Sequence, residues 1–272
     1  MDPALLARKP IGPLASYVEM LWYCEAYPSV HQKERVLPNG RFQLIINLSD
    51  YPRPQDCTIE DGIPLASSLI VGMRSRFSVV NTAALQATIG ALFRPGCARA
   101  FLEAPADAFY NESVPLDLVW GSMARALRDT LRDAETPGDK FRKLEIALLQ
   151  RVNTRLELHA AVGYALEEFS RTPHIRRVLE VTREAGLSRR RFAQLFREQV
   201  GITPKLYCRL HRFQGALHQI ASGAPVDWAE VALAGGYCDQ AHFGHEFRDF
   251  SGISPGAYLA SERSFVNHVP MD

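Results

Sequence analysis

The sequence predicts an α+β chain, with a β-rich N-terminal part carrying some helices and an all-α C-terminal part containing two helix-turn-helix units. Three observations carry that expectation. Short apolar runs bounded by turn residues recur through the first hundred residues. From Leu118 the apolar spacing changes to that of helices. The last hundred residues repeat themselves at a fixed offset.

In chain order, Arg41–Leu48 (RFQLIINL) follows a Pro38-Asn39-Gly40 turn and reads as a strand; Leu69–Gly72, Phe77–Asn81 and Gln86–Phe93 read likewise. Helices are expected at about Leu118–Arg132 and Asp139–Val152, separated by Thr136-Pro137-Gly138. A sheet or barrel with helices over it would bury these apolar faces.

The repeat aligns Ser188-Arg-Arg-Arg-Phe192-Ala-Gln-Leu-Phe196-Arg197 with Asp239-Gln-Ala-His-Phe243-Gly-His-Glu-Phe247-Arg248, each pair 51 positions apart. The register runs on through Gly201-Ile202-Thr203-Pro204 and Gly252-Ile253-Ser254-Pro255 to Tyr207 and Tyr258, seven identities in all. Ser188 and Asp239 are helix N-caps, because their side-chain oxygens accept from amides of the first turn. Phe192, Leu195 and Phe196 then bury one face, and Gly201 and Gly252 end the two helices. A short helix precedes each unit, about His174–Ala185 and Asp227–Ala234, followed by a turn bearing Gly186 or Gly236. Between the units, Pro204–Ser222 carries Leu206, Leu210, Phe213, Leu217 and Ile220 at helical spacing, one connecting helix about 28 Å long.

Composition narrows the class of protein. At 272 residues the chain favours two domains, and 47% hydrophobic against 22% charged residues is the balance of a globular protein. No run of about 18 apolar residues exists to span a membrane, and Met1 to Pro10 lacks the apolar core of a secretory signal, so a cytoplasmic location is expected. Cys24, Cys57, Cys97, Cys208 and Cys238 are scattered without zinc-ligand spacing; they read as core thiols, with Cys97 and Cys238 the alternatives for redox chemistry. His31 is the sole histidine before His159, so a histidine-rich metal site is not expected in the N-terminal part. Neither a nucleophile elbow nor a phosphate loop occurs, so no catalytic residue, cofactor or metal is expected. Trp22, Tyr23, Phe42, Phe93 and Trp120 could line a small-molecule pocket, but core roles account for them more simply.

The net charge is +1 and decides nothing; residues 174–272 carry +2 and residues 1–173 carry −1. Local placement is more informative. With the apolar stripes removed, the first capped helix presents Arg189, Arg190, Arg191, Gln194 and Arg197. The second presents Gln240, Ala241, His242, His245 and Arg248. Arginine, glutamine and histidine can donate to base edges and phosphates, whereas a face kept only for solubility mixes glutamate with lysine. Paired helices with Phe at i and i+4 also fit a plain bundle core, but that alternative leaves these two faces unexplained.

The segments GLSRRRFAQLFREQVGITPKLY and GGYCDQAHFGHEFRDFSGISPGAY, with Arg212-Phe213 between them, resemble the DNA-binding domain of the AraC/XylS family of transcription regulators over about residues 155–262. The resemblance implies a double-headed binder with base-facing Arg190 and Gln194 in one helix and Ala241 and His245 in the other. His245 departs from the arginine frequent in relatives, and Thr182 from alanine. LPNGRFQLIINL, VGMRSRFSVV and ALFRPGCARAFLEAPADAF resemble the N-terminal domain of a subset of these regulators, related to cupin-like ligand-binding modules, with Cys97 where glycine is usual. The implied organisation is a sensor or regulatory domain over 1–150 and a DNA-binding domain over 155–262.

The implied partners are double-stranded DNA, RNA polymerase, a small-molecule effector of unspecified identity and a second copy of the chain, with no membrane. A DNA-repair regulator that takes methyl groups onto cysteine is the alternative from another class, and it requires a four-cysteine zinc cluster that this spacing does not provide. A third reading makes the N-terminal part a dimerisation module without a ligand.

Overall fold

The computed structural model describes residues 5–25, 31–49, 68–82, 86–171, 178–223 and 225–271. The N-terminal part is built on a six-stranded antiparallel sheet of order β1-β2-β7-β4-β5-β8, formed by Leu5–Arg8, Val18–Cys24, Thr88–Phe93, Gln43–Asn47, Ser68–Val71 and Ser113–Pro115 respectively. Three of the four expected strands fall in this sheet, at β4, β5 and β7. Central β7 is buried almost throughout, so it reads as a continuous apolar run rather than an alternation. Trp22 pairs with Gly90 across β2 and β7, and its indole fills the space where a Cβ on Gly90 would stand. Tyr23, Phe42, Phe93 and Trp120 are buried in the core, and the Trp120 indole N–H donates to the Phe101 carbonyl at 3.0 Å.

The fourth expected strand, β6 (Ser78–Asn81), lies in a second sheet of order β6-β3-β9. Its middle strand is β3 (Lys33–Val36), and its other edge is β9 (His268–Met271), from the far end of the chain.

The helix expected over Leu118–Arg132 is two helices, α1 (Leu116–Trp120) and α2 (Ser122–Arg132). Gly121 separates them at φ 59° and ψ −139°, a backbone conformation closed to most side chains. α3 (Pro137–Arg151) starts two residues before the expected Asp139, since the Thr136 hydroxyl caps the Asp139 amide and Pro137 takes the first turn. Buried Lys140 of α3 donates to the carbonyls of Leu131 and Ala134, closing the end of α2, and burial lowers its pKa.

The C-terminal part is helical, with α4 (Ala160–Arg171), α5 (Val178–Glu184), α6 (Arg189–Val200), α7 (Pro204–Ala221), α8 (Trp228–Ala234), α9 (Gln240–Ser251) and α10 (Pro255–Ala260). Residues 174–177 of the expected first helix lie outside the described residues. The repeat is geometric as well as textual. α6 and α9 begin 51 residues apart, while α5 and α8 begin 50 apart, so the second turn holds the one extra residue. Phe196 meets Tyr207 edge-on at 5.7 Å, and Phe247 meets Tyr258 in the same way at 5.6 Å. The connecting helix α7 runs unbroken for 18 residues, about 27 Å. Both parts share one continuous apolar core reaching from Leu14 to Val269. No helix among the described residues is long and apolar enough to cross a membrane.

Candidate nucleic-acid interface

Each recognition-type helix is set by its own sequence. The Ser188 hydroxyl accepts from the Arg191 amide at 3.3 Å, and the Asp239 carboxylate accepts from the His242 amide at 2.7 Å. Phe192, Leu195, Phe196 and Val200 bury the inner face of α6, as Phe243, Phe247 and Phe250 do in α9. Gly201 and Gly252 close the two helices at φ 94° and 71°. The Thr182 hydroxyl, buried where the helices cross, donates to the Val178 carbonyl at 2.7 Å and so is satisfied within its own helix.

All ten residues singled out in the sequence are exposed: Arg189, Arg190, Arg191, Gln194 and Arg197 on α6, and Gln240, Ala241, His242, His245 and Arg248 on α9. Among the described residues, none of the five arginines has an ion pair, so their guanidinium groups are available for phosphates or base edges. Two side chains are held. The Gln194 amide donates to Glu198 at 2.7 Å, so a bidentate contact to adenine requires that bond to open. His242 Nδ1 accepts the Cys238 backbone amide at 3.4 Å, which places the ring proton of the neutral form on Nε2, and the ring stands edge-on to Tyr237.

A polar hub behind α9 was not visible as an outward face. Glu246 is 4% exposed and accepts from Arg209 Nε at 2.7 Å and Arg212 at 3.1 Å, both on α7. Arg209 also reaches Asp249 and lies over the Phe250 ring, and Arg212 lies over Tyr237. Burial first, and then the Glu246 charge, raises the pKa of Tyr237. The repeat held the signal: Glu246 stands 51 residues after Leu195, a buried apolar position in the first unit. The second unit is thus tied to the connecting helix by charge in addition to the packing of Phe213 against Phe247 and Phe250.

The thiols are poor nucleophiles where the structure buries them. Burial raises the pKa of Cys24 and Cys97, and pushes Cys208 up to about 11; the Cys97 sulfur faces the Ser16 carbonyl at 3.5 Å. Cys238 is exposed in the turn before α9.

Residues 181–261 match the profile of a helix-turn-helix domain family, and residues 7–115 match a domain of unknown function, DUF6597. No curated protein is significantly similar in sequence. Among solved structures, the chain is similar to ToxT of Vibrio cholerae strain SCE256 in its unsaturated fatty acid-bound form, at TM-score 0.45 and 11% identity over 95% of each chain. It is also similar to ToxT of strain O395, at TM-score 0.43 and 12% identity over 88% of this chain and 95% of that one.

Proposed function

From an AraC-type helix-turn-helix domain over residues 181–261, we propose that this chain is a sequence-specific transcription regulator that reads two half-sites of double-stranded DNA, one with α6 and one with α9. The observation that carries the reading is the pair of capped helices, equivalent under the repeat, whose exposed faces bear arginines without an ion pair among the described residues. The DNA-binding domain extends back to about residue 155, because Phe169 of α4 packs edge-on against Phe196 of α6 at 6.2 Å. The two helices joined by about 27 Å of α7 suit successive major grooves, which lie about 34 Å apart.

A small-molecule effector acting through the β-rich part is the regulatory half of this proposal. The place offered to it is a shallow open groove of about 360 Å³ between the two parts, with Ser75 and Tyr110 on one wall and Thr203, Lys205 and Phe250 on the other. A molecule seated there would touch the first turn of α7 and the last turn of α9 together. Melting of the full chain against a metabolite panel tests this, since a ligand of the folded state raises the midpoint.

Two substitutions separate the kinds of DNA contact. Arg190→Ala is expected to lose discrimination at one or two base pairs, costing about 1–3 kcal/mol on the selected site. Arg197→Ala is expected to weaken all sequences alike and to flatten the salt dependence. Equal weakening of every sequence by both variants, measured by titration of labelled duplexes, would contradict the assignment of the face.

A further inference from the structure

The β-rich part touches both helix-turn-helix units at the same position of the repeat. A Cβ on Gly201 would come within 3.0 Å of the Phe42 ring and 3.2 Å of the Ala106 carbonyl oxygen. A Cβ on Gly252, 51 residues later, would meet the Phe77 ring at 2.4 Å. The Phe77 amide also donates to the Phe250 carbonyl at 2.9 Å, in the last turn of α9. Each helix is therefore approached at its C-terminal end, and the exposed N-terminal turns and outer faces stay uncovered.

The end of the chain holds this approach in place. After α10, β9 pairs antiparallel with β3, from Val36 opposite His268 to Lys33 opposite Met271. Val269 is 2% exposed, and His268 Nδ1 lies 3.0 Å from Oε2 of buried Glu34. Gln214 of α7 donates to both the Pro38 carbonyl and the Asn267 side chain, at 2.8 and 2.9 Å. One residue of the connecting helix is thus pinned to the β-rich part and to the returning tail together.

We propose that the β-rich part is a splint across the two recognition helices, and that the C-terminal strand is the strap that keeps it seated, so that the full fold and not α7 alone fixes the separation of the half-sites. This rests on the DNA-binding reading above. All ten recognition residues are exposed while docked, so docking does not occlude them; docking that blocked DNA would have to act through their separation, which the truncation below reads.

The test uses the full chain and duplexes carrying its selected site with base pairs inserted or removed between the half-sites. Each base pair shifts the second half-site by about 3.4 Å and turns it by about 35°. The wild type is expected to lose about tenfold or more in affinity per one- or two-base-pair change. Phe77→Ala, and removal of residues 267–272, should reduce that penalty to about threefold or less, with Phe77→Leu intermediate. Circular dichroism and melting confirm that each variant remains folded, and Phe77→Leu carries the test should the truncated chain unfold. An unchanged spacing penalty in folded variants would overturn the inference, as would tighter binding at the native spacing after truncation. A wild type that binds no duplex overturns the DNA-binding reading itself.

Discussion

Glu246 is a carboxylate placed in an apolar stripe, where it accepts from two arginines of α7 while nearly excluded from water. Arg209 keeps Asp249, but Arg212 has no other carboxylate among the described residues, so Glu246→Gln should destabilise the chain by about 3 kcal/mol in chemical denaturation, and replacing Glu246 and Arg212 together by Leu and Met should recover part of it. His211 is a second residue-scale device. Its ring lies tilted against Tyr207 at 4.4 Å, and burial, with Arg41 adding to it and Glu19 opposing it, lowers its pKa to about 4. The unfolded chain takes up this proton near the ordinary value of about 6.5 and the folded chain only near 4, so the stability is complete above pH 6.5 and is lost as pH falls toward 4. The unfolding free energy of the wild type should fall by about 2 kcal/mol more than that of His211→Leu over this range, and parallel pH profiles would contradict this. The outward residues were legible because removing an apolar stripe leaves them behind. Glu246 was not, because periodicity treats every charge as outward and only the comparison with Leu195 shows it turned in.

At the scale of elements, legibility followed local chemistry. α3, α6, α7, α9 and α10 each carry a Ser, Thr or Asp cap, and the structure shows every one of those caps bonded to an amide of the first turn. Strands β3, β8 and β9 have three or four residues and no apolar run, and β1, though it begins Leu5-Leu6-Ala7, is four residues long and mostly exposed, so little local announces them. β9 exists because β3, more than 230 residues earlier, offers it an edge. Gly252 shows what an element end can demand: it combines φ 71° with a Phe77 ring that leaves no room for a Cβ. Gly252→Ala should therefore cost about 2–3 kcal/mol, more than Gly186→Ala, where φ is also positive but nothing lies within 4 Å. Equal losses at the two positions in thermal melts would show that the Phe77 contact contributes nothing.

Across the whole molecule, the division near residue 150 is clear in composition and repeat, yet the core does not stop there. The sequence shows two parts; their junction is a tertiary fact, made by Phe42, Met73 and Phe77 against helix-capping glycines. A fragment of residues 155–262 should stay helical but melt below the full chain, because it loses those contacts and the returning strand. A fragment melting with the full chain would mean that the junction contributes nothing to stability.

Reading of two half-sites by two recognition helices is tested by selecting bound duplexes from a random pool with the wild type, Arg190→Ala and His245→Ala. Two enriched boxes about one helical turn apart are expected, with the α6 substitution blurring one box and the α9 substitution blurring the other. A single box degraded by both substitutions, or no enrichment at all, would contradict it.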